Sequence, residues 1–491
     1  MSVTENVAGI KFSELERTIY DFALGLARNI LADTLEGMSQ ALHMQLHSSR
    51  YENKGTRETS IHTLFGTVSY SRHVYYDNEA VDAEGKRKCV YPLDERLGMT
   101  VFQSYTEAVV ETVVKRCTEV SFRKAAQSVN EMTGLSLSHT TAWSMVQQFG
   151  RSLDDCDRRL VEKYSQHQLD GEKVVPVLFE EADGDYLPIQ RRGRTKREKE
   201  RKEVKLAVTY EGWQRQPSSE RYHLVNKRFV AGVADTEGFN ALRSASISQR
   251  YNLAKVQYHV LNGDGAAWIR NGHEGRKNIY QLDPFHWHRE VLRATADKKE
   301  TTSLVRMLKL GQFEQAFARI HELKYECGGE AHRVKALQGL EGYLGTLQQG
   351  VQPWNNREGK VIPDPPAGLV YRNMGTMEHH ICDVIGLRMK GRKMSWSVNG
   401  ANHMAKTLAC CMNGELSTMI GSMMSGKVSE EMATIVTRTV NETEKRVIQH
   451  VRKTFEVHHG GWPFEGGAMT PSRKAIREVF HLKNFSEQRY H

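Results

Sequence analysis

The first third of the chain shows helical and strand-like hydrophobic patterns in turn. Apolar residues recur at helical spacing over 12–46 without a proline, which predicts a long amphipathic helix. Residues 61–77 are rich in Val, Thr, Tyr and Phe and predict a β-hairpin. The pattern over 105–165 is helical again. Within it, 121–150 has helix-turn-helix form, with a first helix that ends at Gly134.

A strand-rich block begins near residue 173. Apolar strand patterns follow at 204–213, 221–232 and 255–265, with a helix-like stretch before the last of them. Three strands, a helix and another strand indicate a mixed α/β sheet. The segment from 286 to 350 is polar and helical, with almost no strand signal.

Composition narrows the class of protein. The chain has 491 residues, a net charge of +9 and 39% apolar residues, which is enough to build cores and excludes wholesale disorder. No uninterrupted apolar run approaches the length of a membrane span, and the N-terminus lacks a secretory signal pattern. Seven scattered cysteines are typical of a reducing compartment, so we expect a cytoplasmic protein without disulfides. The positive charge permits a polyanionic partner.

Acidic residues stand where two apolar strands end. Glu181, Asp183 and Asp185 share strand parity with the apolar positions before them, so they lie on one face of the first strand. Asp264 likewise shares strand parity with the apolar positions of the fourth strand. Asp183 and Asp264 are each followed by Gly, and Asp-Gly is also a common turn dipeptide. Two such acids at the ends of strands in one sheet favour a functional site, with Asp185 and Glu181 as alternatives to Asp183.

A third acid begins a predicted helix at 373–391. Glu378 shares a helical face with Ile381, Cys382, Ile385 and Met389, which places an acid in the first turn of a core-facing stripe. A first-turn acid is also favoured by the helix dipole alone. Asp383 and Glu415 are the alternatives for this third position.

Three converging carboxylates have a known chemical use. Mg²⁺ prefers oxygen ligands, and a pair of such ions supports phosphodiester displacement. The run 191–205 holds nine Lys/Arg against three Glu and is either a solvated hairpin tip or a phosphate-contacting loop. Asp283, His286 and His288 lie in one segment, but positions i and i+2 of a helix point apart. We interpret this segment as structural, or as positioning near the scissile phosphate.

The order of several motifs resembles a known family, the bacterial insertion-sequence transposases of the ISLre-two type. The matching stretches span roughly 60–410 and are FGTVSYSRHVYY, YPLDERLGM, LFEEADGDYLPIQ, VKLAVTYEGW, LNGDGAAWI, LDPFHWHR, GTMEHHI and RMKGRKMSWSVNGANHMAKTLA. The resemblance implies a DDE transposase with an α/β ribonuclease H-like core. It also implies a Mutator-like layout, in which a helical insertion separates the second Asp from the Glu.

Carried over residue by residue, the resemblance implies that Asp183, Asp264 and Glu378 are the catalytic, metal-binding acids. The cofactor it implies is a pair of Mg²⁺ (or Mn²⁺) ions. The partners it implies are double-stranded DNA, as terminal repeats and target, and further copies of the chain in a dimer or higher assembly at the nucleoid. No membrane partner is expected. The predicted regions are a mostly helical DNA-binding region at 1–165, a core in two parts at 170–285 and 369–415, a helical insertion at 286–368, and a helical, basic tail at 416–491.

Two other functions remain open at this point. One is a ribonuclease H-like nuclease that cuts DNA without strand transfer. The other is a DNA-binding regulator built on a decayed transposase, which would require the loss of an acid. In the helix-turn-helix, we predict that Thr140, Thr141 and Gln147 face outward to contact DNA.

Overall fold

The computed structural model describes most of the chain and divides it into two compact units. The described residues are 11–46, 49–98, 102, 104–190, 200–271, 273, 276–357, 359–391, 394–424 and five positions between 437 and 445. The first unit contains residues 1–61, 65–97 and 426–491, and the second contains 62–64 and 98–425.

The first unit is built from a long helix and a three-stranded sheet. Its elements are α1 (Phe12–Gln45), β1 (Tyr51–Thr63), β2 (Gly66–Val81), β3 (Arg87–Val90) and α2 (Pro92–Arg96). Leu35, Met38 and Leu42 form the buried stripe of α1, while Val68 and Tyr70 of β2 are buried at alternate positions. The predicted helix and hairpin are both present, but the hairpin is longer than 61–77 and gains a third strand.

The second unit is organised around a five-stranded mixed sheet. Its strands lie in the order β10 (Asn278–Leu282), β9 (Tyr258–Gly263), β4 (Val177–Pro188), β5 (Arg201–Tyr210) and β8 (Arg228–Gly232). β5 is antiparallel to both of its neighbours, whereas β9 is parallel to β4 and β10 is parallel to β9. The predicted mixed α/β sheet is confirmed.

Two details of the sheet differ from the prediction. The strand predicted at 221–232 is two strands, because the chain turns at Asn226, whose φ is 53°. The first piece, β7 (Tyr222–Leu224), pairs with β6 (Trp213–Arg215) in a separate ribbon, and only β8 joins the large sheet. β10 was not predicted.

Helices cover both faces of the large sheet. On one face lie α3 (Glu107–Glu119), α4 (Phe122–Thr133), α5 (His139–Ser165), α14 (Val398–Met412) and α15 (Leu416–Met424). On the other face lie α6 (Thr236–Arg250) and α7 (Ala267–Arg270), which pack through Phe239 and Trp268.

The first group of helices shares one hydrophobic core with the sheet, so the structure differs from the predicted boundary at 165. Phe149 of α5, Met404 of α14 and Phe179 of β4 all belong to this core and are fully buried. Gln147 is also buried, at 9% exposure, because it packs against α14 and lies 2.8 Å from the ring of His403. Its predicted outward orientation is wrong.

A group of four helices follows β10, where the helical insertion was predicted. They are α8 (Pro284–Thr295), α9 (Lys298–Lys309), α10 (Phe313–Glu326) and α11 (Ala331–Val351), followed by a 3-10 turn at Trp354–Asn356. Trp287, Leu304, Ile320 and Leu340 form a separate core among these helices. The insertion therefore has its own hydrophobic core, and it follows the edge strand β10 along the chain.

One further helix lies in the predicted 373–391 segment. It consists of α12 (Met377–His380), a π-helix (Ile381–Gly386) and α13 (Leu387–Met389) without interruption. Hydrogen bonds from i to i+5 widen the turns of a π-helix, and such turns are frequent at functional sites.

The contact between α5 and α14 provides a test of the shared core. A Cβ added at Gly150 would lie 2.3 Å from the Cβ of His403, so we expect Gly150→Ala to destabilise the protein by at least about 2 kcal/mol. Gly342→Ala in α11, where no atom lies within 4 Å of the new Cβ, should instead stabilise by about 0.5–1 kcal/mol. Urea unfolding of both variants measures the difference, and equal effects would contradict the packing.

Candidate metal centre

Asp183 lies near the middle of the central strand of the sheet. In β4 it follows Phe179 and Glu181 at alternate positions, so all three side chains leave the same face. Phe179 belongs to the hydrophobic core, and Asp183 itself is 8% exposed. Its Oδ1 accepts a hydrogen bond of 2.7 Å from the backbone N–H of Gly184. Strand β4 therefore places the carboxylate of Asp183 where the hydrophobic core meets the candidate metal centre.

Asp264 follows the parallel neighbour of β4. It comes directly after β9, and its Oδ1 accepts a hydrogen bond of 2.8 Å from the N–H of Ala266. Gly265 has a φ of 100°, which favours glycine, so the Asp-Gly pair forms a turn as well as presenting an acid. The side chain of Asp264 lines a cavity of about 490 Å³ together with His286.

Asp283 fixes the position of His286 at the start of α8. It caps this helix, because its Oδ2 accepts a hydrogen bond of 3.3 Å from the N–H of His286. The Nε2 of His286 lies 3.9 Å from Oδ2 of Asp183 and 3.8 Å from Oε2 of Glu378. His288 is directed elsewhere and contacts the ring of Trp287, as its i+2 spacing from His286 predicts.

Glu378 faces the site from α12. Its side chain is half exposed, whereas Ile381, Ile385 and Met389 are buried. The predicted stripe is therefore wrong for Glu378 and for Cys382, which is exposed. The physical reason is the position of the buried stripe, which runs through Met377 and Ile381, so that Glu378 and Cys382 each follow a buried residue and lie outside the stripe.

Asp183, His286 and Glu378 form one cluster of potential metal ligands. Each offers one ligand atom, and these atoms lie within 4.8 Å of one another. Asp264 is not part of that tight group but is near enough to act on Asp183 through its charge. Burial raises the pKa of Asp183 to about 7, and repulsion from Asp264, Glu378 and Asp283 contributes.

The alternative acids are already engaged by other groups. Asp185 pairs with Lys390, and Glu415 pairs with Arg228. The carboxylate of Asp383 lies 3.0 Å from the ring of His379 on the exposed side of the helix. The carboxylate of Glu181 accepts five hydrogen bonds. Among the candidates for the first and the third acid, Asp183 and Glu378 are therefore the best placed to bind a cation.

The residues present fit a divalent cation. Buried carboxylates that repel one another are stabilised by a bound cation, and oxygen donors suit Mg²⁺ and Mn²⁺. The imidazole of His286 adds a nitrogen donor, which transition ions accept readily. Sequence reasoning did not identify His286 as a ligand. The available signal was the Asp-Pro-Phe-His order, in which a capping Asp sets a His in the first turn of a helix.

Basic residues lie near the centre on two sides. Arg289 and Arg293 of α8 line the cavity that contains Asp264 and His286. Arg201 and Lys390 line a second cavity, of about 450 Å³, with Asp185. The basic run is interpreted from the sequence as either a solvated hairpin tip or a phosphate-contacting loop, and most of it, residues 191–199, lies outside the described residues. Nearly all of the tail beyond 424 does so too. Among the described helices, none has both the length and the apolar character needed to cross a membrane.

Because Asp183 is buried beside other acids, we expect the metal-free protein to lose stability as pH rises. Its folded pKa of about 7 exceeds the ordinary 3.8, so the folded state binds the proton more tightly and stability falls as pH rises from about 4 to 7. In EDTA at pH 8, we expect Asp183→Asn to stabilise the protein by about 2–4 kcal/mol, with a gain that shrinks as pH falls to 5. Thermal unfolding at both pH values measures this gain.

Asp185→Asn is the matched control, because it removes an acid paired with Lys390 and should give no gain. Added Mn²⁺ at pH 8 should raise the melting temperature of the wild type but not that of Asp183→Asn. A pH-independent gain for Asp183→Asn would show that charge at this position is not the cause.

Comparison with known proteins places the chain in a family. A UPF0236 protein of Caldanaerobacter subterraneus subsp. tengcongensis is 23% identical over 414 residues, which cover 83% of this chain and 79% of the relative. Another from the same organism, whose name joins eleven locus designations, is 23% identical over 423 residues, or 84% of this chain and 81% of the relative. A third, named as the UPF0236 protein in the vanSb 3′ region of Streptococcus gallolyticus, is 22% identical over 419 residues, covering 82% and 83%.

The same family is found by a model that matches most of the chain. The model described as Uncharacterised protein family (UPF0236) matches residues 5–423. The chain therefore belongs to the uncharacterised protein family UPF0236.

Proposed function

We propose that this protein is a DDE transposase of an ISLre-two type insertion sequence, which cleaves DNA at the element ends and joins them to target DNA. The observation that carries the proposal is the meeting of Asp183 and Glu378, with Asp264 near Asp183, at the central strand of a mixed sheet. These are the three acids that the family resemblance assigns to catalysis.

The sheet supports a ribonuclease H-like core. Three successive antiparallel strands, β4, β5 and β8, are followed by two strands parallel to the first, with β4 at the centre. This order is the one expected of that fold. The insertion of four helices falls between Asp264 and Glu378, as the Mutator-like layout requires.

The names of the relatives also favour a mobile element. One name joins eleven loci of a single genome. A coding sequence repeated at many loci is what an element that copies or moves itself leaves behind. Another relative lies beside vanSb.

Asp183, Asp264 and Glu378 would hold two Mg²⁺ or Mn²⁺ ions, with His286 as a further donor. Such ions, when bound, activate an attacking oxygen and stabilise the leaving oxygen of a phosphodiester. The protein's own contribution is placement. Asp183 is fixed by β4, and His286 is fixed by the cap of α8. Arg289 and Arg293 lie along the adjoining cavity, where they would contact DNA phosphates.

The helix-turn-helix formed by α4 and α5 is the proposed DNA-binding element for the terminal repeats. Ser138 caps α5 with a hydrogen bond of 3.0 Å from the N–H of Thr141. Thr140 and Trp143 are exposed in the first turns of this helix, where groove contacts are made in such motifs. Because target DNA and two ends must be held together, we propose a dimer or larger assembly in the DNA complex.

Glu378→Gln tests the chemistry. The change keeps the size of the side chain but removes the charge that holds a cation, so end cleavage and strand transfer should both fall by about 100-fold or more while end binding persists. The assay is cleavage of a labelled end fragment in Mg²⁺. Ca²⁺ should support binding without turnover, because its looser coordination misplaces the reacting oxygens.

Asp383→Asn is the matched control on the same helix, since this acid pairs with His379 and should leave activity within about twofold of wild type. Cleavage by Glu378→Gln at the wild-type rate would remove Glu378 from the site. Cleavage without strand transfer by the wild type would identify a nuclease instead. End binding without any cleavage would identify a regulator.

The salt dependence of binding tests the DNA-binding element. Arg123 and Lys124 are exposed in the first turn of α4, so their joint replacement by Ala should weaken end binding and lower the slope of log K against log salt by about 1–2. Joint replacement of Lys298 and Lys299, an exposed pair in α9, is the control and should change the slope less. Equal slopes for the two double variants, measured by fluorescence anisotropy, would reject α4 as a DNA contact.

A further inference from the structure

Glu181 is a buried carboxylate with an unusual set of partners. It has 0% exposure and makes five hydrogen bonds, all with groups that carry no formal charge. Its Oε1 accepts from the hydroxyls of Tyr210 (2.7 Å) and Thr376 (2.6 Å). Its Oε2 accepts from Nδ2 of Asn262 (2.9 Å) and from the N–H groups of Gly375 (3.1 Å) and Thr376 (2.9 Å).

These partners belong to the segments that carry the proposed metal ligands. Glu181 itself is two residues before Asp183 in β4. Thr376 is two residues before Glu378, and its backbone N–H is bound directly to the carboxylate of Glu181. Asn262 is two residues before Asp264.

Asn262 extends the network to the fourth member of the site. Its Nδ2 also donates a hydrogen bond of 2.9 Å to Oδ1 of Asp283. Asp283 in turn caps α8 and positions His286. One carboxylate is therefore linked by one or two hydrogen bonds to all four segments on which the site depends.

The geometry makes this link hard to replace. The three donors to Oε2 are N–H groups, which cannot accept a hydrogen bond instead. The amide of Asn262 is fully buried, and a buried N–H left without an acceptor costs about 1–3 kcal/mol. The N–H groups of Gly375 and Thr376 bind the loop before α12 to the same oxygen. Without that acceptor, the loop gains by moving toward water, and Glu378 moves with it.

We propose that Glu181 is a positioning residue for the metal centre, which holds the segments bearing Asp183, Asp264, His286 and Glu378 in register for cation binding without touching the cation. The inference rests on the proposed metal site. It assigns a role to an acid that sequence reasoning weighed only as a rival ligand.

The test is the affinity of the full chain for Mn²⁺, measured from the free Mn²⁺ signal in electron paramagnetic resonance. Removing a residue that orients metal ligands weakens affinity by about 10–100-fold, which is the loss expected for Glu181→Ala. Glu181→Gln should stay within about threefold of wild type, because its amide oxygen can accept the three N–H groups while the hydroxyls of Tyr210 and Thr376 rotate to accept from its nitrogen.

Glu211 supplies a matched control. It is also a buried carboxylate, 5% exposed, that follows β5 and is bound by Tyr251 (2.9 Å), Asn226 (2.9 Å) and Lys173 (2.6 Å). None of these partners belongs to the metal centre. Glu211→Ala should therefore destabilise the fold but leave Mn²⁺ affinity at the wild-type level.

Thr376→Val is the second variant and removes only the hydroxyl bond to Glu181, so it keeps the test decisive if Glu181→Ala does not fold. We expect it to weaken Mn²⁺ binding by about tenfold, the lower end of the range for such groups. Wild-type Mn²⁺ affinity in folded Glu181→Ala, or in Thr376→Val, would overturn the positioning role. Equal losses in Glu181→Ala and Glu211→Ala would do the same, by showing a general effect of stability. A wild-type chain that binds no Mn²⁺ would instead refute the metal site.

Discussion

The cost of burying carboxylates governs this structure. An ionised acid inside a protein must be compensated by hydrogen bonds or by an opposite charge. Glu180, on the other face of β4, is compensated by Arg243 at 2.7 Å, and its pKa is lowered despite burial. Glu211 is compensated by Lys173 at 2.6 Å. Each of these acids has a visible structural explanation.

Asp183 differs from those acids. Within the described part of the chain, its one hydrogen bond comes from the adjacent Gly184, and the charges that act on its pKa are those of other acids. The fold thus holds a buried carboxylate beside other acids, and among the described residues the ring of His286, 3.9 Å away, is its one ion-pairing contact. Such an uncompensated carboxylate is what a cation site offers before the cation binds. This contrast with Glu180 and Glu211, and not acidity as such, singles out the site.

Part of this centre was predictable from local pattern. Strand parity identified the face that carries Asp183, and the strand ends identified Asp264. His286 and the orientation of Glu378 were not predictable in this way. The first depends on a cap made by Asp283, and the second depends on which residues of the helix pack against the core. The cap is local in sequence, whereas the packing of the helix is set by tertiary contacts.

The overall fold was also predictable from the sequence only in part. Periodicity placed most of the long helices and four strand regions, but it could not tell which helices shared a core. Gln147 looks outward-facing in an isolated helix-turn-helix and is buried only because α14, more than 240 positions later, packs over it. The short β10 is buried on the parallel edge of the sheet and is too brief to give a clear alternation.

That shared core joins the proposed DNA-binding helices to the helix that carries Glu378. Arg388, at the end of the helix that carries Glu378, donates a hydrogen bond of 2.5 Å to the carbonyl of Cys117 in α3. Its guanidinium also lies 5.1 Å from the ring of Phe122, at the start of α4. The proposed DNA-binding helices and the helix of the third acid are therefore packed as one body. Arg388 thus connects the end of this helix to α3 and α4, while the hydrogen bonds from Gly375 and Thr376 to Glu181 hold the segment before its start.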